Sequence, residues 1–308
     1  MAHGSEVKHD YHLVNPSPWP FTASVSIFLI ALGLITWVRG ILPAAPEGVT
    51  PDLMTRIFAK GDWMILAVGF AGLVATLFAW WGDVIKEGRQ GDHTPVVDIG
   101  LRYGMIMFIA SEVMFFVAWF WAFFELAIFH EARAGWYVPA WQDTEIAAAW
   151  ANWPPPGVEQ FDPFHLPLMN TLVLLLSGTT VTWAHHALQQ GDRGGAKLGL
   201  TLTVVLGLCF TALQAFEYSH AAFLFGEADQ GANLYGATFF MATGFHGFHV
   251  VIGTVFLAVC LWRLLSGGLS PQKHFGFEAA AWYWHFVDVV WLFLFAFVYV
   301  VPWMAASH

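Results

Sequence analysis

Cysteine and charge are what this 308-residue sequence has least of. Its two cysteines, Cys209 and Cys260, lie in separate apolar stretches, and no CxxC, CxxCH or Cys/His cluster occurs. That scarcity argues against a disulfide framework, covalently attached haem and a thiolate metal site. Charged residues make up 11% of the chain against 57% hydrophobic, and the mean hydropathy is +0.59. Soluble domains average about 45–50% apolar and 25% charged, so the composition points away from a soluble domain. Twelve Lys and Arg against 22 Asp and Glu leave a formal charge of −10. This disfavours nucleic acid, and anionic lipid as a general partner. Internal repeats are missing too, which weakens a transporter built from inverted halves. Nor is a cleavable signal expected. Residues 1–18 are polar, and the apolar run Phe21 to Val38 exceeds a signal core of about 7–15 residues.

What the chain does have is seven apolar stretches, at 20–42, 62–84, 98–128, 166–188, 197–222, 234–264 and 277–303. Each reaches the roughly 20 residues that a helix needs to cross a bilayer. Continuous runs without strict alternation exclude a barrel, so the expected fold is an all-α integral membrane protein with seven transmembrane helices. With the N-terminus in the cytoplasm, Lys8, Lys86, Arg89, Arg102, Arg193, Lys197, Arg263 and Lys273 fall inside. Arg39, Arg56, Lys60 and Arg133 fall outside, and eight against four favours this orientation, with the C-terminus out. The expected organisation is an N-terminal segment 1–19, a two-helix bundle 20–84, an inner loop 85–97 and a five-helix bundle 98–308. The last contains a long outer loop, 129–165, whose Trp153-Pro154-Pro155-Pro156-Gly157 run forbids a continuous helix.

Several side chains stand where lipid would penalise them. Glu112 lies at the midpoint of the third span, where charge costs about 2.5–3.5 kcal/mol, so the neutral acid is the expected resting form. It reads either as a proton-exchanging group or as a structural acid tying two helices together. His246 and His249 share a helical face by i, i+3 spacing. They read either as metal or haem ligands or as neutral hydrogen-bonding residues in a close helix contact allowed by Gly244 and Gly247. His185 and His186 point about 100° apart on a helix and cannot easily chelate one ion. Glu278, Trp282 and His285 share a face in the last span, and Asp288 lies one turn beyond His285, placed to orient it. Glu217, near the outer end of span five, needs a partner of its own. On the inner rim, Trp81, Glu87, His93 and Arg263 combine an indole with cationic donors, a set suited to a lipid headgroup or to ordinary flanking charge.

Longer strings extend this reading. His12-Leu13-Val14-Asn15-Pro16-Ser17-Pro18-Trp19-Pro20, Trp80-Trp81 and His93-Thr94-Pro95 stand in order. So do Gly100-Leu101-Arg102-Tyr103-Gly104-Met105, Ser111-Glu112-Val113 and Thr182-Trp183-Ala184-His185-His186. Next come Ala242 to His249 and the stretch Phe275 to Phe293. Together they resemble subunit III of the haem–copper cytochrome c oxidases in its seven-helix form, from about residue 9 to residue 303. The resemblance implies helices 1–2 splayed from helices 3–7, with a lipid-binding cleft between. It implies Trp81, Glu87, His93 and Arg263 as lipid-binding positions and Glu112 as a carboxyl-reagent-sensitive, proton-related glutamate. It also implies a non-redox accessory role, with no cofactor bound by this chain beyond structural phospholipids. Haem and copper would sit in partner subunits I and II, with cytochrome c contacted through subunit II and a small accessory subunit in addition.

The expected function is therefore support of subunit I, retention of phospholipid and proton supply during oxygen reduction. The expected location is a bacterial inner membrane. His3, His9, Asp10 and His12 would buffer protons at the inner surface, since histidine titrates near neutrality. The alternatives are subunit III of a quinol oxidase and, from a different class, a membrane metalloenzyme using His246 and His249.

Overall fold

The structure, a computed structural model, describes residues 10–13, 16–43, 50, 52–141, 152–155, 158–223, 225 and 233–306, without the side chains of 133–141 and 233–234. Among the described residues its regular structure is helical, without strands, and seven helices are long and apolar enough to span a bilayer. The elements are α1 (Trp19–Arg39), α2 (Leu53–Ile57), α3 (Met64–Gln90), α4 (Pro95–Trp141), α5 (Leu166–Gln189), α6 (Arg193–Ser219), α7 (Asn233–Leu265) and α8 (Phe275–Leu294). A π-helical turn, Phe295–Val300, joins α8 to α9 (Val301–Ala306). The chain divides into two units, Met1–Leu101 and Arg102–His308, the boundary falling inside α4.

Two expected loops turn out to be partly helical. Residues 85–90 continue α3, because Lys86, Glu87, Arg89 and Gln90 are good helix formers once past the apolar run. The helix stops only at Gly91, whose φ of 94° suits a residue without Cβ. Proline at the first position then opens α4, where its missing N–H costs nothing. Likewise α4 runs to Trp141, past the expected end at 128, with a kink at Phe129 (φ −108°, ψ 19°). Beyond it, Trp153 seats its ring 5.6 Å from Phe123 and 5.3 Å from Tyr235, so that part of the outer connection is packed structure. Pro156 and Gly157 lie outside the described residues, as do His3, Lys8 and His9.

In the first unit, α1 and α3 meet through small residues: Ser26, Gly33 and Thr36 against Gly69 and Thr76 are all buried. A Cβ on Gly69 would stand 2.7 Å from the Ile30 backbone nitrogen, and one on Gly33 would be 2.6 Å from Leu66 Cα. Lipid is as apolar as leucine, so close backbone contact and hydrogen bonds replace hydrophobic drive. The Thr76 and Thr22 hydroxyls meet at 3.2 Å across this seam. Between the two helices, Asp52 caps α2 by accepting from the Thr55 amide at 3.0 Å. Hydrogen bonds from Thr55 hold the Asp52 carboxyl below its ordinary range.

In the second unit, α8 is the central rod. Trp284 and Trp291 are fully buried, and their indole N–H groups donate to Ser177 Oγ and Thr171 Oγ1 on α5, each at 2.8 Å. Gly207 on α6 and Gly253 on α7 make room for the Trp284 ring; a Cβ at either would lie within 2.9 Å of it. Both tryptophans thus satisfy a donor that hydrocarbon could not.

Candidate functional site

The acid in the third span has a partner that sequence spacing did not reveal. Glu112 Oε2 stands 2.9 Å from His249 Nε2, and the other ring nitrogen, Nδ1, is 2.6 Å from the Phe245 carbonyl. A carbonyl oxygen only accepts, so Nδ1 carries hydrogen. The bond at Nε2 then needs one further proton, either on the carboxyl or on the ring. Phe115, Phe116 and Phe286 surround the imidazole, with Phe116 closest at 5.0 Å between centroids. The Glu112 side chain keeps 23% of its surface exposed, so it is sheltered but reachable.

His246 takes a different direction. Its Nε2 lies 3.1 Å from the Val287 carbonyl on α8, and the ring packs on Trp291 and Phe210. The i, i+3 histidines thus face separate partners, and the structure does not bring them together on one ion. Among the described residues no group of three or more His, Cys, Asp or Glu side chains could hold a metal. His185 and His186 stay apart as expected, with ring centroids 6.4 Å apart; His185 lies nearer His274, at 5.2 Å.

The span-seven stripe serves several neighbours rather than one site. Glu278 accepts two hydrogen bonds from Arg102, at 3.1 Å from Nε and 2.8 Å from Nη2. This fork-shaped pair joins the start of α8 to α4, and the Arg102 guanidinium also lies 5.9 Å from the Phe275 ring. Its net contribution is about 1 kcal/mol, since the Arg102 side chain is 42% exposed. His285 Nε2 lies 3.0 Å from Thr182 Oγ1 on α5, while its Nδ1 faces Asp288 Oδ2 at 3.4 Å, as the i, i+3 spacing implied. Glu217 finds its partner in Tyr299, whose hydroxyl donates to Oε1 at 2.7 Å. Arg102, Thr182 and Tyr299 were not among the sequence-derived candidates. Arg102 and Thr182 stand inside strings that carry the family resemblance, yet neither string names a partner for them, and nothing local marks Tyr299.

The inner-rim residues fall in different units. Trp81, 61% exposed, and Glu87 belong to α3, and His93 to the turn that follows. Six residues apart on a helix, Trp81 and Glu87 point about 120° from each other. Glu87 instead faces His12 at 3.8 Å, and the His93 ring lies against Gly88. A groove beside them is lined by His12, Trp19, Asp83, Lys86 and Glu87, with the Trp19 indole donating to Asp83 at 2.7 Å. Thr94 donates to the Asp10 carbonyl at 2.5 Å, tying down the segment before α1. Arg263 lies near the end of α7 in the second unit, its Nε buried without a hydrogen-bond partner among the described residues.

Comparison with known proteins gives a match over nearly the whole chain. The family described as Cytochrome c oxidase subunit III matches residues 9–304. The chain is 47% identical over 300 residues to cytochrome c oxidase subunit 3 of Xenopus laevis, covering 97% of this chain and 98% of that protein. The corresponding proteins of Scyliorhinus canicula and Cyprinus carpio are 47% and 46% identical, with the same coverage. The chain therefore belongs to the cytochrome c oxidase subunit III family.

Proposed function

We propose that this chain is a non-redox accessory subunit of a proton-pumping cytochrome c oxidase, assembled with subunits I and II in a bacterial inner membrane. The observation that carries the reading is the family match across nearly the whole chain. Supporting it, four intramembrane acids of the second unit are engaged within that unit: Glu112 with His249, Glu278 with Arg102, Glu217 with Tyr299 and Asp288 with His285. Side chains so committed build a rigid flank rather than an open substrate site. Haem and copper then belong to the neighbouring subunits, and cytochrome c delivers electrons by way of subunit II. The excess of Lys and Arg on one set of connections supports a cytoplasmic N-terminus and a periplasmic C-terminus.

On this account Glu112 is a proton-related residue and not a catalytic one. Glutamine at position 112 is expected to leave assembly and most electron transfer intact, because the amide still hydrogen-bonds His249 in the same place. Oxygen consumption of the purified complex checks this; complete loss of activity in an assembled Glu112→Gln oxidase would assign Glu112 a place in the chemistry.

Trp81, Glu87, His93 and Arg263 are proposed to hold phospholipid. Arg263 supports this most, since a guanidinium nitrogen left unpaired in a buried place suits a phosphate oxygen. Arg263→Ala is expected to lower the phospholipid that co-purifies and to shorten catalytic lifetime. Native mass spectrometry reads the lipid directly, and an unchanged lipid count speaks against the assignment.

A further inference from the structure

At the outer end of the second unit the packing leaves polar atoms that protein alone does not satisfy. Asn170 on α5 is fully buried, and neither its amide oxygen nor its amide nitrogen has a hydrogen-bond partner among the described residues. Glu217 on α6 is 1% exposed; Tyr299 satisfies its Oε1, while Oε2 is unpartnered in the same sense. Three orphaned atoms on two side chains are unusual, because a buried donor or acceptor without a partner carries its full desolvation cost.

Separate contacts place these two side chains on neighbouring turns of facing helices. Helices α5 and α6 run antiparallel: Thr180 meets Thr203 at 2.8 Å, and a Cβ on Gly199 would be 3.0 Å from Ala184 Cβ. Stepping outward by whole turns along both buried faces carries Asn170 to the level of Gln214, with Glu217 roughly one turn (about 6 Å) further out on the same face of α6. From the third side, Thr171, next to Asn170, accepts from Trp291, and the Trp291 ring lies 5.9 Å from that of Tyr299. Tyr299 itself sits in the π-helical turn Phe295–Val300, which packs directly on α5. Such turns widen the helix by one residue and recur where a fold makes room for function.

We infer that Asn170, Glu217 and the π turn carrying Tyr299 build a binding site for a single internal water molecule, bridging Glu217 Oε2 to the Asn170 amide. Water is the ligand whose chemistry fits, since it donates to the carboxyl oxygen and both accepts from and donates to an amide within one molecular diameter. The site is independent of the Glu112–His249 pair, lies near the opposite end of the span from Arg102, and does not rest on the accessory role proposed above.

The test is a cryo-electron-microscopy map of the intact complex at a resolution that shows ordered water. The wild-type map is expected to show one density within hydrogen-bond distance of both Glu217 Oε2 and the Asn170 side chain. No density there, with the Asn170 amide bonded directly to the Glu217 carboxyl, overturns the inference. Two variants sharpen it. Glu217→Gln keeps an acceptor and should retain the water, whereas Asn170→Leu removes both amide atoms and should expel it. Undiminished density in assembled Asn170→Leu also counts against the site, and if that variant does not assemble, the wild-type map still decides.

Discussion

Alanine at position 33 is expected to weaken the α1–α3 pair by about 1–3 kcal/mol, and valine by more. Alanine at Gly82, on the same α3 helix, is expected to be neutral or stabilising by up to about 1 kcal/mol. The contrast isolates one cause. A Cβ on Gly33 would meet Leu66 Cα at 2.6 Å and the Leu66 backbone nitrogen closer still, and neither belongs to a flexible side chain that can swing away. A Cβ on Gly82 would meet nothing within 4 Å. With no water to drive the two helices together, separating them by the width of a methyl group also stretches the Thr22–Thr76 hydroxyl contact and the matching approach of Gly69 to Ile30. Limited proteolysis of the purified complex between residues 40 and 63, followed over a temperature ramp, reads the separation. Cleavage at a lower temperature in Gly33→Ala, with Gly82→Ala unchanged, is the expected pattern. Equal behaviour of the two variants would show that backbone contact is not what holds this unit.

Removing the chain from the oxidase is expected to have the largest functional effect of all, and a selective one. Haem absorbance and the initial turnover rate should stay close to those of the intact complex, because on the proposed reading no electron passes through this subunit. Catalytic lifetime should fall steeply, and more so at neutral or higher pH. The sign follows from proton supply. Free protons become tenfold scarcer with each pH unit, so buffering surface groups matter most on the alkaline side. Loss of bound phospholipid would act in the same direction by uncovering the flank of subunit I. Repeated-turnover assays at several pH values, with and without the chain, measure this. Equal lifetimes at every pH would remove the supporting role.

The seven spans were legible because one physical length, the thickness of hydrocarbon, sets them all. Their ends were less so. Nothing apolar marks residues 86–90 as helix, and the true stop signal, Gly91 followed by Pro95, lies beyond the hydrophobic run. Local pairings could also be read: Asp288 and His285 are one turn apart, and any helix brings them together. Pairings between helices could not. Glu112 and His249 are 137 residues apart, Arg102 and Glu278 are 176 apart, and each contact depends on the rotation and register of two helices. Sequence spacing put His246 and His249 within one turn of each other, yet it could not say that one turns to Val287 and the other to Glu112. The need for partners was visible at Glu112 and Glu217; their identity required the fold.

The central claim is that this polypeptide supports a redox machine without holding a redox centre. The most direct measurement is to purify the complex through an affinity tag on this chain, release the chain with detergent, and assay iron and copper in both fractions. Both metals and the haem absorbance are expected to co-purify with the tagged chain at first, then to remain with the residual core, leaving the released chain colourless. Stoichiometric iron or copper travelling with the released chain would contradict it.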